Sequence, residues 1–455
     1  MKYFNFCGRH PVALVRQLPD GSTLLAWLVF LAGSLSAQPG RSTRANRSAG
    51  ESLSPLSTPI QLLLANNKQV QAAEKAYQAA TASIRAKGKL PDPMIEGVGF
   101  VQPIETRNGP TELQIMLGQK IPLWGKLRRQ RQIAEEQAAI AALNLRHSQV
   151  EVVWQMRTAW EDYLRLERSL QILKSYREEL NSFRSNALAQ YSTGGGITQH
   201  PILKLQIEIS LIESKINSLQ SDLQSRNNDL VALFDGKFEA QLFAAQRTPM
   251  PPTEAVDFWL AQARELNPGY RKSLLELEIA SLQHELARRK NYPDLLAGVT
   301  YSFIGPDGAG TAPALGKDAM GVKVGLNIPL WFGKNRARVQ SAELMVASKD
   351  ELAQETWNRL ENGVRSTLHA LHEIEETYLI YGGQLIGESE QMLASAFSAY
   401  ETGKISFLDV LDSQRMVVRV RLEFESVEAR RRIVSAKLLK ATGATQYEED
   451  LKNEN

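Results

Sequence analysis

The sequence predicts a mainly α-helical fold that also contains membrane-spanning β-strands. Three observations favour this fold class: an internal duplication, an unusually long unbroken helical pattern in each copy, and paired segments in which every second residue is apolar. The first predicts two equivalent units, the second predicts very long antiparallel helices, and the third predicts strands with one apolar face.

Composition excludes several other classes of protein. The 455 residues contain 53 Lys and Arg against 50 Asp and Glu, so the net charge of +3 predicts no nucleic-acid partner. The single cysteine excludes a disulfide framework, a CxxC redox pair and a thiolate zinc cluster. The mean hydropathy of −0.28 excludes a protein with several membrane-spanning helices.

The N-terminus indicates export from the cytoplasm. Basic residues precede an apolar run from Leu24 to Leu35, and the small residues Ser36 and Ala37 follow it. This order is typical of a secretory signal peptide, which we predict over residues 1–37; the alternative is a short membrane anchor. The following arm, 38–57, is polar and without periodicity, and we predict that it is flexible.

Three sequence anchors occur twice, in the same order, with an offset of about 200 residues. They are Pro91-Asp92 and Pro293-Asp294, Ile121-Pro-Leu-Trp-Gly-Lys126 and Ile328-Pro-Leu-Trp-Phe-Gly-Lys334, and Tyr191-Ser-Thr-Gly194 and Tyr400-Glu-Thr-Gly403. The chain is therefore predicted to contain a first repeat at 58–236, a linker at 237–252, a second repeat at 253–443 and a C-terminal tail at 444–455.

Each repeat contains a helical pattern that is too long for a globular domain. Between Trp124 and Tyr191 the only glycine is Gly125, proline is absent, and apolar residues recur about every seven positions. A helix of this length spans on the order of 100 Å. The second repeat has the same pattern from Lys334 to Tyr400, with predicted weak points at Gly363, Gly382 and Gly383.

Between the first two anchors of each repeat the period changes from helical to alternating. Every second residue is apolar in 295–303 and in 320–328, and the partner positions are mostly small or polar. Strands are predicted at about 94–103, 111–121, 295–304 and 320–330, the length that a membrane strand needs to separate lipid from a wet lumen. The alternative for a single hairpin is a half-buried pair on a soluble core.

Four strands cannot close a barrel, and a bilayer tolerates no open sheet edge. Several chains must therefore contribute strands to one barrel. The residues alone leave open whether two chains form eight strands or three chains form twelve.

The anchors and their order resemble the TolC family of outer membrane efflux proteins, over roughly residues 58–442. The most specific stretch is 400–412, and segments 90–93 and 118–126 are similar to the heavy-metal (CzcC-like) branch. The resemblance implies a homotrimer in the outer membrane of a Gram-negative bacterium, with a twelve-stranded β-barrel in contact with outer membrane lipid and a continuous α-helical barrel across the periplasm. It also implies two partners, a periplasmic adaptor protein and an inner-membrane pump of the RND type.

The resemblance identifies candidate functional residues at the ends of the long helices. Asp409 and Asp412 match the acidic pair of the periplasmic entrance, where threefold symmetry would form rings of carboxylates that favour cations. The alternative role for these aspartates is capping of a helix N-terminus. Tyr400 and Gly403, and in the first repeat Tyr191 and Gly194, match turns at which the adaptor docks or the entrance opens.

Two departures from the family pattern concern the entrance. The first repeat has no acidic pair after its turn, and Ile405 stands where the family has a basic residue. At the opposite end of the helices, the strand-to-helix exits are marked by Pro122, Gly125, Pro329 and Gly333.

A metal site has one weak candidate. His369 and His372 are three residues apart on a predicted helix beside two glutamates, which is a spacing that can bind a metal. The alternative, which we favour, is a solvated helix face without metal. No nucleotide-binding loop or hydrolase motif occurs, so the sequence predicts neither an enzyme nor a cofactor site.

The function predicted from the sequence is therefore a passive exit duct of a tripartite efflux system, for small molecules or metal cations. A type I secretion duct for proteins is one alternative, because the duct is common to both systems. A periplasmic coiled-coil scaffold or adaptor that never crosses a membrane is another, but it leaves both strand pairs unexplained.

Overall fold

The computed structural model describes residues 57–106, 109–193, 198–240, 247–252, 254–305 and 317–444. In chain order its elements are α1 (Ser57–Asn66), α2 (Lys68–Ile84), β1 (Met94–Thr106), β2 (Gly109–Ile121), α3 (Lys126–Ser192), α4 (Gln199–Leu233), α5 (Val256–Leu266), α6 (Pro268–Arg289), β3 (Asp294–Ile304), β4 (Ala319–Asn327), α7 (Phe332–Ile380), a π-helical turn (Tyr381–Leu385), α8 (Ile386–Glu401) and α9 (Phe407–Thr442). The predicted signal peptide, nearly all of the polar arm, Gly194 and the tail beyond residue 444 lie outside these ranges.

Helix α3 of the first repeat runs unbroken for 67 residues, which confirms the predicted long helix. Its apolar face packs against α4 and the start of α9. Leu173, Leu180, Leu205 and Leu411, from these three helices, are all at most 2% exposed and belong to one apolar cluster. A helix this long is therefore stabilised by burial along its length rather than by helix propensity alone.

The equivalent helix of the second repeat is interrupted. Helix α7 has 49 residues, the π-helical turn has five, and α8 has 16. Gly382 and Gly383 lie in the π-helical turn, so the predicted weak point is confirmed there. The prediction was wrong for Gly363, which lies within unbroken α7. A single glycine lowers helix propensity by only about 1 kcal/mol, which neighbouring turns offset.

The four strands form one antiparallel sheet in the order β1-β2-β3-β4. Each repeat contributes one hairpin, and the repeats join where β2 pairs with β3, as in the pair Ile121↔Leu295. Strand β4 ends at Asn327, before the predicted boundary near 330, because Pro329 lacks a backbone N–H and restricts the residue before it. Strands β1 and β4 are the edges of this sheet.

One face of β4 carries large apolar side chains. Among the residues described, no other part of the chain covers them. Met320, Val322 and Val324 are 73%, 80% and 70% exposed. Contiguous exposed apolar surface of this kind marks contact with lipid or with another chain. Within the described ranges, no helix combines the length and the apolar composition needed to cross a bilayer.

A buried polar cluster connects the inter-repeat linker to both repeats. Glu161 of α3 is 0% exposed and accepts a hydrogen bond from the backbone N–H of Thr248 at 2.7 Å. The backbone oxygen of Thr248 accepts from Arg432 of α9 at 2.5 Å, and Arg432 also pairs with Glu428 at 2.8 Å. Burial raises the pKa of the Glu161 carboxyl. Thr248 of the linker thus connects the middle of α3 to the second half of α9.

Candidate functional site

The end of α3, the end of α8 and the start of α9 lie together at one end of the helices. Phe183, near the end of α3, stacks on Phe397 of α8 with ring centroids 5.8 Å apart and meets Phe407 of α9 edge-on at 5.7 Å. The sheet adjoins the opposite end of α3, because β2 ends at Ile121 and α3 begins at Lys126. The length of α3 therefore separates the turns from the sheet.

The turn of the second repeat is closed by a glycine. Helix α8 ends at Glu401, and Gly403 has φ +72°, a left-handed conformation in which glycine carries no steric penalty. The Gly403 N–H donates to the Tyr400 oxygen and the Lys404 N–H donates to the Ala399 oxygen, both at 2.9 Å. The Tyr400 ring packs edge-on against Phe407, with centroids 5.9 Å apart. The turn is thus fixed to the first residue of α9.

The turn of the first repeat is described only at its flanks. Helix α3 ends at Ser192, Tyr191 is 51% exposed, and α4 begins at Gln199. Gly194 lies outside the described residues. Thr198, at the N-cap of α4, forms no hydrogen bond from its side chain to the helix N-terminus.

Asp409 is part of a capping box at the start of α9. Its Oδ2 accepts from the Ser406 N–H at 2.8 Å and from the Ser406 hydroxyl at 2.7 Å. These two donors stabilise the charged form and lower the pKa of the Asp409 carboxyl. The capping role considered from the sequence is therefore present, and the carboxylate remains exposed and ionised.

Asp412 faces a basic partner on its own helix. Its Oδ1 accepts from Nη1 of Arg415 at 2.9 Å, and its side chain is 66% exposed. The other guanidinium nitrogen of Arg415, Nη2, donates to Oε2 of Glu208 on α4 at 2.6 Å. The hydrogen bond to Glu208 is the main cause that raises the pKa of Arg415. Arg415 therefore connects the acidic pair to the first repeat.

The Arg415 link extends to α3. The Tyr176 hydroxyl, buried between helices, donates to Oε1 of Glu208 at 3.4 Å. Burial and the negative charge of Glu208 raise the pKa of Tyr176, so it stays protonated as a donor. A second link joins the Gln414 amide to the Glu179 carboxylate of α3. We call the set Tyr176, Glu208, Asp412 and Arg415 the inter-repeat link.

Sequence reasoning missed this link. It identified Asp412, but it expected a basic partner at position 405, where Ile405 stands. The only local signal was Arg415, three residues after Asp412 and so on the same helix face. Glu208 and Tyr176 carry no motif, and they lie 207 and 239 positions before Arg415 in the chain.

The strand-to-helix exits differ between the repeats. In the first, Gly125 has φ +71° and a Cβ added to it would lie 2.8 Å from Nη1 of Arg289. That guanidinium donates to the Trp124 oxygen at 2.6 Å, and Pro122 lies just before this bend. In the second, Gly333 lies within the first turn of α7 and a Cβ on it would meet nothing within 4 Å.

The second exit is instead closed by an asparagine. Asn335 Nδ2 donates to the Pro329 oxygen at 3.1 Å, and Asn335 itself is buried. The inserted Phe332 becomes the first residue of α7, so the two glycines of the repeated motif occupy different conformations. Equivalent sequence positions thus form two different bends.

The histidine pair has one acidic neighbour within contact distance among the residues described. His372 Nε2 lies 3.4 Å from Oε1 of Glu376, and these side chains are 77% and 66% exposed. Three ligands are the minimum for most protein zinc sites. Over the part of the chain that the structure describes, no cluster of three His, Cys, Asp or Glu residues has metal-binding geometry.

Comparison with known proteins assigns the family. Residues 59–235 and 259–444 match the family described as outer membrane efflux protein. The cobalt-zinc-cadmium resistance protein CzcC of Cupriavidus metallidurans is 22% identical over 383 residues, which cover 83% of this chain and 87% of that protein. The resemblance to the TolC family and its CzcC-like branch is therefore confirmed.

Solved structures share the fold. The CusC structure superposes with a TM-score of 0.70 at 17% identity, covering 85% of this chain and 91% of that one. The outer membrane protein VceC from Vibrio cholerae gives a TM-score of 0.68 at 16% identity, covering 85% and 95%. The predicted fold class is confirmed, and it is a fold of channel proteins rather than of enzymes. The family match indicates a channel for efflux in the outer membrane, extending into the periplasm, and the chain belongs to the outer membrane efflux protein family.

Proposed function

We propose that three copies of this chain form a passive exit duct for metal cations or other small molecules, with Asp409 and Asp412 lining its periplasmic entrance. The duct performs no chemistry of its own. It works with a periplasmic adaptor protein and an inner-membrane pump of the RND type, which supplies the energy and selects the cargo.

The sheet supports assembly from several chains. Strands β1 and β4 each have one edge that pairs with no other described strand, and an open edge is not stable in a bilayer. Pairing of β4 with β1 of the next copy satisfies both edges, and three copies give twelve strands. Smaller closed barrels leave less room for a wet lumen, which an exit duct requires.

The observation that carries the proposed entrance is the position of the acidic pair. Both aspartates lie in the first two turns of α9, at the end of the molecule farthest from the sheet, and Asp412 is 66% exposed. Threefold symmetry would place three copies of each carboxylate around one axis. Rings of carboxylates attract cations and repel anions.

The turns support docking of the adaptor. Tyr191 is 51% exposed at the end of α3, and Gly403 lies in the turn between α8 and α9 at the same tip. Tyr191 and the Gly403 turn therefore lie at the tip of the helices, where a partner protein can reach them.

Single-channel recording tests the entrance. We expect divalent cations such as Co²⁺ or Zn²⁺, added at the helical side, to block the wild-type channel, and we expect Asp409→Asn/Asp412→Asn to lose most of this block. The control is Glu213→Gln/Asp222→Asn, which removes two exposed carboxylates of α4 away from the tip. Equal block in all three proteins would contradict the assignment of the entrance.

Growth of a deletion strain tests the cargo. The similarity to CzcC and the acidic entrance support divalent metal ions, so we expect the strain to become sensitive to cobalt, zinc or cadmium and to recover with the wild-type gene. Unchanged metal tolerance together with loss of an exported protein would favour the type I secretion alternative. Absence of any conductance from the purified protein would favour the scaffold alternative.

A further inference from the structure

A belt of basic residues surrounds the junction between the sheet and the helices. Four helix ends meet there: the end of α2, the start of α3, the end of α6 and the start of α7. Each contributes exposed basic side chains, and we call the following six the basic belt: Lys87, Lys89, Arg128, Arg288, Lys334 and Arg336. They come from four separate parts of the sequence and from both repeats.

Contacts between the helix ends show that the belt lies at one level. Lys126 Nζ of α3 donates to the Tyr292 oxygen after α6 at 2.7 Å, and Arg338 of α7 donates to Asn291 Oδ1 at 2.6 Å. A Cβ on Gly88, just after α2, would lie 2.6 Å from the Cβ of Arg131 in α3. The antiparallel register brings these four helix ends together, because β1 and β3 begin at the same end of the sheet at which β2 and β4 finish.

No acidic side chain in the described part of the chain forms an ion pair with the basic belt. Two acidic residues at this level pair with cations outside the belt: Asp294 with Lys126 at 2.6 Å, and Glu285 with Arg129. None of the six belt residues forms an ion pair with any residue in the described ranges. The net charge of the whole chain is only +3, so this concentration of positive charge is a local feature.

Helix electrostatics explain only part of the belt: Arg288 lies in the last turn of α6, where the negative end of the helix dipole favours a cation, but the residues at the helix starts have no such explanation. Helices α3 and α7 begin here, and neither has an acidic residue in its first turn. The positive end of the helix dipole disfavours cations such as Lys334 and Arg128 at these positions. An arrangement that opposes the helix dipole at two helices indicates an anionic partner outside the chain.

Exposed aromatic and apolar side chains lie directly above the belt, on the side of the sheet. In the second exit, Leu330, Trp331 and Phe332 are 62%, 76% and 78% exposed. In the first exit, the Trp124 and Tyr292 rings lie 5.3 Å apart and are 55% and 52% exposed. Tryptophan and tyrosine prefer the boundary between hydrocarbon and headgroups, with basic side chains reaching the headgroups beside them.

We propose that the basic belt and these rings bind anionic phospholipid headgroups in the inner leaflet of the outer membrane. The proposal rests on the placement of the sheet in that membrane, and it adds selectivity for one class of lipid. The aromatic side chains enter the leaflet, while the lysines and arginines contact phosphate groups. The belt thereby sets the depth of the sheet in the bilayer.

Spin-labelled lipids test the proposal with the full-length protein reconstituted in membranes. The association of phosphatidylglycerol is compared with that of phosphatidylethanolamine carrying the same acyl chains. We expect a preference of about fivefold or more for phosphatidylglycerol, the factor expected from one basic contact. The variant Arg128→Gln/Arg288→Gln/Lys334→Gln/Arg336→Gln should lose it.

The matched control removes four other exposed lysines from the periplasmic helices, with the substitutions Lys174→Gln, Lys204→Gln, Lys215→Gln and Lys437→Gln. It should keep the full preference. Salt provides a test on the wild-type protein: raising the ionic strength from about 0.1 M to 1 M shortens the screening length from about 10 Å to 3 Å and should abolish the preference. The salt result holds even where the four-site variant fails to assemble.

Three outcomes would overturn the proposal: no preference in the wild type, a preference that survives in the four-site variant, or equal loss in the control. Displacement of the lipid by inorganic phosphate at constant ionic strength would mean that the belt binds a free anion instead.

Measurement of conductance separates the lipid proposal from the proposed duct. A four-site variant that conducts like the wild type but loses the preference supports both proposals, whereas conductance with no lipid preference in the wild type overturns only the lipid proposal.

Discussion

The two repeats share a sequence pattern, but their long helices differ in continuity and in how much of their surface is buried. In the first repeat, α3 is a single helix of 67 residues whose apolar face is buried along most of its length. In the second, the equivalent span is interrupted by a π-helical turn, and α7 buries only a few of its residues. The first repeat is therefore a fixed support, and the second carries the break and the acidic pair.

This difference indicates where a channel of this kind can change shape. The inter-repeat link joins α9 to the rigid first repeat through Arg415 and Glu208. Single π-helical turns inside α-helices frequently occur at functional sites and at helix kinks. Four comparisons test this division, three between the repeats and one within the second, from the largest expected effect to the smallest.

The largest effect is expected in the core of the first repeat. Leu180→Ala, at a fully buried position of α3, should lower the free energy of unfolding by about 3 kcal/mol through lost burial and a cavity. Leu379→Ala, at a position of α7 that is 62% exposed, should change it by less than about 0.5 kcal/mol. Denaturant unfolding in detergent measures both. A large effect of Leu379→Ala would mean that this face of α7 is buried against another copy.

The exits provide a matched glycine pair. Gly125→Ala should destabilise the protein by about 1–2 kcal/mol, because φ is +71° and the new Cβ would approach Arg289 Nη1. Gly333→Ala, in the open first turn of α7, should be neutral or stabilising by up to about 1 kcal/mol. Thermal unfolding measures the change in stability of each variant. Equal changes would contradict the different bends of the two exits.

The π-helical turn provides a second glycine pair. A Cβ on Gly382 would lie 3.0 Å from the Phe424 ring, whereas one on Gly383 would meet nothing within 4 Å. Gly382→Ala should therefore be less stable than Gly383→Ala by about 1 kcal/mol, since only the first must displace a ring. Denaturation midpoints compare the two variants. Identical stabilities would mean that Phe424 moves freely and that the turn is not held by α9.

The smallest effect concerns pH at the helix starts. Because the Ser406 donors lower the pKa of Asp409, its capping contribution is complete above the ordinary value of 3.8 and is lost as pH falls through the lowered pKa. Amide exchange over 407–410, corrected for intrinsic rates, should rise at acid pH. Residues 199–203 of α4 should not respond in the same way, because Thr198 forms no side-chain cap. Asp409→Ala should remove the pH dependence at α9, and its persistence would contradict the capping box.

The sequence alone predicted the helices and strands wherever apolar residues recur with a regular period. The absence of proline and glycine after Gly125 predicted α3, and the alternation in 295–303 and 320–328 predicted two of the four strands. It also identified Asp409 and the glycine turn at Gly403. It did not predict that Gly363 lies within an unbroken part of α7, because the helical turns on either side offset the low propensity of one glycine.

Two features were decided only by the tertiary structure. The inter-repeat link joins residues more than 200 positions apart, and the basic belt joins four helix ends whose lysines and arginines look like ordinary surface charges in the sequence. The period of apolar residues predicts which face of a helix or strand is apolar, and a sequence motif predicts local backbone geometry. Which polar groups meet across repeats depends instead on the register of β2 against β3 and of α9 against α3 and α4. The sequence by itself therefore determined the elements, the duplication and the family, whereas packing between the repeats determined which charges are paired and which remain for a partner.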